Sequence, residues 1–273
     1  MGKTYVFVNQ KGGVGKTTSA INIGAYIAAA GKSVLLVDFD SQSNLSIGLG
    51  IKAGKKGVYE VLAGKIPINE AIRQTEAANL SVLPSNVELA GASVELISEN
   101  SPEFFLRRAL NAVKPHFDYI LIDCPPSLGV LTLNGLAAAD SVLIPMQCEY
   151  FALEGLSLIL QTIKRIQEKI NPPLSIEGIF FTMYDQRTRL AQQVVKQVGI
   201  YFKDKLYSTI IPRNVRLSEA PSHRLPISKY DPGCSGALAY KSLSDEIMRG
   251  AVNGGVADSN IATDGSTSGG VSA

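Results

Sequence analysis

The sequence predicts an α/β fold in which a doubly wound, mostly parallel sheet is flanked by helices. Short apolar runs typical of buried strands alternate with longer segments whose apolar residues recur at helical spacing. A glycine-rich segment joins the first apolar run to the first helical segment, and acidic residues follow two other runs. With 273 residues and 45% hydrophobic content, the chain can bury one large core of this class.

The order of the elements follows from these patterns. A strand is predicted near residues 4–8 and a helix near 16–30, with the glycine-rich segment between them. A second strand is predicted near 33–38, and a less regular stretch then continues to about residue 79. Further strands are predicted near 80–83, 118–123, 141–145, 175–182 and 206–211. Further helices are predicted near 103–114, 153–170, 188–202 and 235–249, the last three from their apolar periodicity.

The segment at residues 11–18 reads KGGVGKTT, which is typical of a phosphate-binding loop. It follows the pattern G-x-x-x-x-G-K-[ST], except that Gln10 stands where the first glycine is usual. The glycines allow successive backbone N–H groups to turn toward an anion, at the positive end of the helix that begins near Lys16. Thr17 offers a hydroxyl to a Mg²⁺ ion that bridges phosphates. The predicted phosphate-binding residues are Lys11, Gly12, Gly13, Val14, Gly15, Lys16, Thr17 and Thr18.

Three aspartates lie at the ends of predicted strands. Asp38 and Asp40 follow the second strand, and Asp123 ends the strand predicted near 118–123. Because ligands bind at the carboxyl edge of open parallel sheets, we expect these carboxylates to meet the glycine-rich loop there. Asp123 is predicted to hold Mg²⁺ through water, since Mg²⁺ keeps several of its waters. The alternative for any one of these aspartates is an ordinary turn or helix cap.

Four segments together resemble the ParA/Soj branch of the deviant Walker A ATPases, P-loop NTPases that also include MinD and the nitrogenase iron protein. They are residues 11–18, 38–42 (DFDSQ), 123–127 (DCPPS) and 211–223 (IPRNVRLSEAPSH). The last segment is the most diagnostic of chromosomal ParA/Soj proteins. The resemblance runs from about residue 3 to about residue 249 and implies a ParA-type ATPase domain at residues 1–249. We expect residues 250–273, which are rich in glycine and serine, to form a disordered tail.

The resemblance implies an ATP- and Mg²⁺-dependent switch with slow turnover. In similar proteins two subunits enclose two ATP molecules, and the signature lysine, here Lys11, reaches the partner's phosphates. Lys16 is expected near the phosphates of its own subunit, and Asp40 is expected to orient or deprotonate the attacking water. Lys11, Lys16 and Asp40 are therefore the predicted catalytic residues. Pro212 and Asn214 match positions that contact the adenine.

Basic residues are concentrated between residues 187 and 229. This stretch contains nine lysines and arginines against two acidic residues, whereas the whole chain has a formal net charge of only +2. Such an uneven distribution predicts sequence-independent, salt-sensitive contact with DNA phosphates. By resemblance, Arg187 and Arg216 match arginines that make nonspecific DNA contacts. Charge alone adds Arg189, Lys196, Lys203 and Arg224. The alternative for each residue is a solvated helix face.

Composition disfavours several other classes of protein. No apolar run approaches the length of a membrane span and no signal-peptide pattern is present, so we expect a cytoplasmic, nucleoid-associated protein without a membrane partner. The three cysteines are widely spaced, which favours reduced thiols over a disulfide framework or a zinc site. Residues 250–273 lack the apolar and basic faces of the membrane-binding helix that MinD-like proteins carry.

The main hypothesis is a chromosome- or plasmid-partitioning ATPase. An ATP-bound homodimer would bind double-stranded DNA without sequence preference, and a ParB-like adaptor would stimulate hydrolysis and release. The alternatives are a ParA-like ATPase that positions another cellular cargo and a MinD-like cell-division regulator. An iron–sulfur reductase subunit is a further alternative, disfavoured because no cysteine pair is suited to bridge a cluster between subunits.

Overall fold

The computed structural model describes residues 2–95 and 101–250, and a seven-stranded sheet lies at its centre. The strands are β1 (Lys3–Phe7), β2 (Val34–Asp38), β3 (Arg73–Gln74), β4 (Leu80–Leu83), β5 (Tyr119–Asp123), β6 (Ser141–Gln147) and β7 (Ser175–Thr182). Their spatial order is β3-β4-β2-β5-β1-β6-β7. Every neighbouring pair is parallel except β3 and β4, which are antiparallel. The predicted mostly parallel sheet is confirmed.

Helices connect the strands and vary widely in length. They are α1 (Lys16–Ala29), α2 (Asn44–Gly48), α3 (Val58–Leu62), α4 (Ile68–Ala71), α5 (Leu89–Glu95), α6 (Phe105–Asn111), α7 (Val130–Ala138), α8 (Ala152–Lys169), α9 (Arg189–Phe202), α10 (Val215–Glu219), α11 (Ile227–Tyr230) and α12 (Ser235–Arg249). Within residues 2–95 and 101–250, no helix has both the length and the apolar character that a membrane crossing requires.

Helices cover both faces of the sheet, so the strands are buried on both sides. Tyr5 and Val6 are neighbours in β1, yet they belong to different hydrophobic clusters because successive strand residues point to opposite faces. The Tyr5 face packs against α1, α2 and α12, and the Val6 face packs against α3 to α9. This double burial explains why the strands read as continuous apolar runs without polar alternation. Each fully buried large apolar side chain contributes about 1.5–3 kcal/mol.

Most predicted elements are confirmed, with differences in the irregular regions. The segment predicted as one helix near 103–114 is α6 with a short 3-10 turn on each side, Pro102–Phe104 and Lys114–His116. Helix α7 was not predicted, and the stretch predicted as less regular contains α2, α3, α4 and β3. Apart from Gly250, the tail predicted at residues 250–273 lies outside the described residues.

The strand predicted at residues 206–211 is wrong. The segment forms no continuous ladder with β7: the N–H groups of Tyr207 and Ile211 donate to β7 carbonyls, each at 2.9 Å, and Leu206 forms an isolated bridge. Between Tyr207 and Ile211, the backbone N–H groups of Ser208 and Thr209 donate to the carboxylate of Glu246 on α12, at 3.0 and 3.1 Å. Because a side chain takes these two donors, the pairing with β7 is interrupted and no continuous strand forms.

Candidate nucleotide-binding site

The loop between β1 and α1 has the backbone geometry of an anion cradle. Gly13 and Gly15 have φ angles of 75° and 85°, in the left-handed region that side chains with a Cβ rarely adopt. Gly15 caps the N-terminus of α1, so the first free N–H groups of that helix open toward the loop. Two of the three glycines of the predicted phosphate-binding segment, Gly13 and Gly15, are therefore required by its backbone conformation.

Two residues from neighbouring strand ends hold the loop from the side. Gln147, at the end of β6, donates from Nε2 to the carbonyl of Gly13 at 2.9 Å. Thr182, at the end of β7, donates from its buried hydroxyl to the carbonyl of Val14 at 2.8 Å. Neither residue was predicted from sequence, because each lies more than 130 residues away from the loop along the chain. The strand ends thus fix the carbonyl groups of Gly13 and Val14.

Lys16 is buried inside the loop. Its Nζ donates to the backbone carbonyls of Asn9 and Lys11, at 3.0 and 3.2 Å. Burial lowers the pKa of Lys16, while the nearby Asp123 carboxylate acts in the opposite direction. Burial leaves Lys16 with few partners for its charge, so an anionic ligand in the loop would gain a strong interaction with it.

Lys11 lies at the exposed rim of the same loop. Its ammonium forms an ion pair with the carboxylate of Glu149, which follows β6, and both side chains are about half exposed. The Lys11 backbone N–H donates to Asn9 Oδ1 at 3.0 Å, so the backbone is fixed while the side chain reaches outward. The two lysines of the loop therefore have different environments: Lys16 points inward and Lys11 points away.

Asp38 and Asp123 end adjacent strands and face one another in the parallel register of β2 and β5. Both are buried. Burial, followed by the nearby Asp38 carboxylate, raises the pKa of Asp123, while the Thr17 hydroxyl and Lys16 act in the opposite direction. Oδ1 of Asp123 has no hydrogen-bond partner among the described residues. A buried, unpaired carboxylate oxygen beside a threonine hydroxyl fits a water-coordinated Mg²⁺ ion, because Mg²⁺ prefers oxygen ligands and retains water.

Asp40 follows Asp38 and is more accessible to solvent. Its Oδ1 accepts a hydrogen bond from the backbone N–H of Gln42 at 3.0 Å. Asp38 is held differently, because its Oδ2 accepts from both the N–H and the hydroxyl of Ser46 on α2, at 2.8 and 2.6 Å. Burial raises the pKa of Asp38, and the bonds from Ser46 oppose that rise. Ser46 was not identified from sequence, since a serine in a short polar stretch carries no recognisable pattern.

A cleft of about 310 Å³ opens beside the loop. Pro212 and Asn214 line it, together with Gly15 and Thr18. The Asn214 side chain caps α10 by accepting from the Arg216 N–H at 2.8 Å, and its Nδ2 donates to a serine hydroxyl on α12. The residues predicted to contact an adenine therefore lie next to those predicted to bind phosphates, on one continuous surface.

Comparisons with known proteins agree on one family. A family model described as an AAA domain matches residues 2–176. The chain is 64% identical over 248 residues to the chromosome-partitioning ATPase Soj of Treponema pallidum, which covers 91% of this chain and 98% of the relative. It is 53% identical over 256 residues to the sporulation initiation inhibitor protein Soj of Bacillus subtilis, covering 93% and 100%. The chain belongs to the ParA/Soj family.

A solved structure supports the same assignment of fold. Cobyrinic acid a,c-diamide synthase from Mycobacterium smegmatis, crystallised with ADP and magnesium, matches with a TM-score of 0.79 and 38% identity. The match covers 91% of this chain and 95% of that chain. The family resemblance predicted from four segments is confirmed, as is the P-loop type of sheet.

The basic residues predicted to contact DNA in this ParA/Soj chain lie outside the phosphate loop. We call them together the basic surface and define it by these six residues: Arg187, Arg189, Lys196, Lys203, Arg216 and Arg224. All six are exposed. Arg189 and Lys196 lie seven residues apart on α9, and Lys203 continues that spacing in the turn that follows, so the three share one side. The predicted residues therefore include a row of exposed cations along α9.

The two arginines that the ParA/Soj resemblance singled out carry acidic partners. Arg187 binds Asp185 through two hydrogen bonds of 2.9 and 2.7 Å and is 84% exposed. Arg216 donates to Glu219 at 2.9 Å and lies 3.4 Å from Asp231. These pairs orient the guanidinium groups and offset part of their charge. The sequence count included Glu219 but not Asp185 and Asp231, which lie just outside the basic stretch.

Proposed function

We propose that this chain is an ATP-dependent switch in chromosome or plasmid partitioning. One observation carries the proposal: the glycine loop, buried Lys16, half-buried Asp40 and the unpaired Oδ1 of Asp123 converge on one edge of the sheet. These groups provide phosphate recognition, a site for a metal ion and a carboxylate for water activation. The name of the Treponema relative, a chromosome-partitioning ATPase, supports partitioning as the process served. We further propose that residues 1–249 suffice for this activity.

ATP and Mg²⁺ are the proposed ligands. Residues 11–18 would enclose the phosphates, and the cleft lined by Pro212 and Asn214 would take the adenine. Thr17 would bind Mg²⁺ directly and Asp123 would bind it through water. The bound ion would supply charge neutralisation for the phosphate oxygens. The crystallised relative that holds ADP and magnesium supports this pair of ligands.

Three residues have proposed catalytic roles. Lys16 would stabilise the negative charge on the phosphates of its own subunit, because its ammonium is already confined inside the loop. Asp40 would orient the attacking water or accept its proton. Lys11 would leave Glu149 and contact the phosphates of a second subunit, so that only the ATP-bound form dimerises. The exposed position of Lys11 supports this role, since an inward-pointing lysine could not cross an interface.

DNA and an adaptor complete the proposed cycle. The ATP-bound homodimer would place two copies of the basic surface on double-stranded DNA, giving nonspecific binding and association with the nucleoid. A ParB-like protein would accelerate an otherwise slow hydrolysis and release the dimer. The row of exposed cations on α9 supports the DNA step.

Substitution of Asp40 tests the proposal. We expect Asp40→Ala to bind Mg²⁺-ATP normally but to lose hydrolysis by about 100-fold or more, because the water loses its oriented carboxylate. Analytical ultracentrifugation should then show a stable dimer with ATP and a monomer with ADP. Glu168→Ala, which removes an exposed carboxylate on α8, is the control and should behave like the parent protein. A monomeric Asp40→Ala protein saturated with Mg²⁺-ATP would refute the switch.

A further inference from the structure

Ser46 lies at the centre of a buried hydrogen-bond chain behind the candidate site. It belongs to α2 and is only 1% exposed. Its hydroxyl donates to Oδ2 of Asp38 at 2.6 Å, and its N–H donates to the same oxygen at 2.8 Å. The hydroxyl oxygen in turn accepts from the backbone N–H of Ser85, beyond β4, at 3.2 Å. One side chain thereby links the end of β2 to the segment that follows β4.

The direction of each hydrogen bond around Ser46 is fixed. A serine hydroxyl has one proton, which goes to the Asp38 carboxylate because that group only accepts, while the backbone N–H of Ser85 only donates to the hydroxyl oxygen. The other oxygen of Asp38 accepts from the backbone N–H of Asp40 at 3.4 Å. The Asp38 carboxylate therefore contacts the backbone of the turn that carries Asp40, and Ser46 orients that carboxylate.

We propose that Ser46 is a positioning residue for Asp40. It acts through Asp38, which is buried and lies behind the more accessible Asp40 carboxylate. Without the hydroxyl, Asp38 keeps only the N–H bond from α2, and its carboxylate can rotate together with the turn that carries Asp40. The inference rests on the proposed function, in which Asp40 orients the attacking water.

Steady-state kinetics and nucleotide binding form the first test. We expect Ser46→Ala to lower kcat by about 10- to 100-fold, because small displacements of a catalytic group have effects of this size. The affinity for a fluorescent ATP analogue should stay within about twofold, since Ser46 does not belong to the phosphate loop. Ser46→Thr keeps the hydroxyl and should recover kcat to within about threefold of the parent protein.

A matched control separates positioning from a general loss of packing. Ser81 on β4 is also a buried serine, 3% exposed, but its hydroxyl donates to the Gln74 side chain and not to the site. Ser81→Ala should leave kcat unchanged. If Ser46→Ala proves insoluble, Ser46→Cys has the same branching as serine with a somewhat larger atom, offers only a weak donor and carries the same expectation.

Hydrogen exchange in the nucleotide-free protein tests the geometry without turnover. Ser46→Ala should speed exchange at the amides of Asp40 and Ser85 by about tenfold, because both lose support from the chain described above. Ser81→Ala should leave those two amides unchanged. An unchanged kcat in Ser46→Ala, an equal loss in Ser81→Ala, or unchanged exchange at both amides would overturn the inference. A parent protein without any ATPase activity would instead refute the proposed function.

Discussion

The phosphate loop and the basic surface of this ParA/Soj chain are both cationic, but they are built differently. In the loop, Lys16 is buried, donates to two backbone carbonyls and lies near the Asp123 carboxylate. On the basic surface, Arg187 is 84% exposed and Arg216 is 54% exposed, and each forms ion pairs with acidic side chains. The loop places one charge at one fixed point, whereas the surface spreads several charges over a large area.

This difference determines how much a single side chain contributes. A buried charge acts at close range with little screening, so its removal has a large effect on an anionic ligand. Exposed charges are screened by salt and by their own acidic partners, so each adds a modest amount. We therefore expect steep losses from substitutions in the loop and gradual ones from substitutions on the basic surface.

Loss of the buried lysine should have the largest effect. We expect Lys16→Ala to weaken binding of a fluorescent ATP analogue by about 100-fold or more, or about 3 kcal/mol, because the phosphates lose their enclosed cation. Lys32→Ala, which removes an exposed lysine beyond the other end of α1, should bind the analogue normally. Affinity within threefold of the parent protein would show that the loop does not bind phosphates through Lys16.

The same contrast explains what could be predicted from sequence. The loop requires glycine at two left-handed positions and a lysine at a set spacing, so its chemistry is confined to residues 11–18 and is visible there. Asp38 and Asp123 were predictable because parallel strands end at a common edge. These features depend on local backbone geometry and on the order of the strands, and both leave recognisable patterns in the amino-acid sequence.

Other parts of the site depend on contacts between distant segments. Gln147 and Thr182 hold the loop from more than 130 residues away, and Ser46 meets Ser85 across 39 residues. The false strand at 206–211 has the same origin, since Glu246 takes its backbone donors. No pattern in a single sequence specifies which distant polar side chain reaches a given carbonyl or amide, so these contacts required the structure.

Reversal of one charge on the basic surface should have an intermediate effect. We expect Arg216→Glu to weaken binding of double-stranded DNA by about tenfold at low salt. The slope of log affinity against log salt concentration should become shallower by about one, because one phosphate contact is lost. Dimerisation with Mg²⁺-ATP should persist, because the phosphate loop is untouched. Fluorescence anisotropy with labelled DNA across a salt series measures both quantities.

The matched control for Arg216→Glu is Lys65→Glu, which makes the same change in net charge at an exposed position after α3. Its DNA affinity should stay close to that of the parent protein. Equal losses in the two variants would mean that total charge, and not the basic surface, determines DNA binding.

The smallest effects are expected at Arg224, where stability and binding should move in opposite directions. Its φ angle of 60° is in the left-handed region, which strains a residue with a Cβ. We expect Arg224→Gly to raise the free energy of unfolding by about 0.5–1 kcal/mol, seen as a rise in Tm of about 1–3 °C. The gain is limited because the Arg224 side chain also packs over Gly50.

A measurement of DNA binding separates the contribution of Arg224 to DNA contact from its effect on stability. If the residue belongs to the DNA-binding surface, Arg224→Gly should weaken DNA binding by about two- to threefold while the protein becomes more stable. Arg224→Lys keeps both the charge and the left-handed strain, so it should change neither Tm nor DNA affinity appreciably. A more stable Arg224→Gly protein with unchanged DNA affinity would remove Arg224 from the basic surface. The left-handed backbone of Arg224 would then have to be explained by the packing of its side chain over Gly50. No electrostatic contribution of Arg224 to DNA binding would remain.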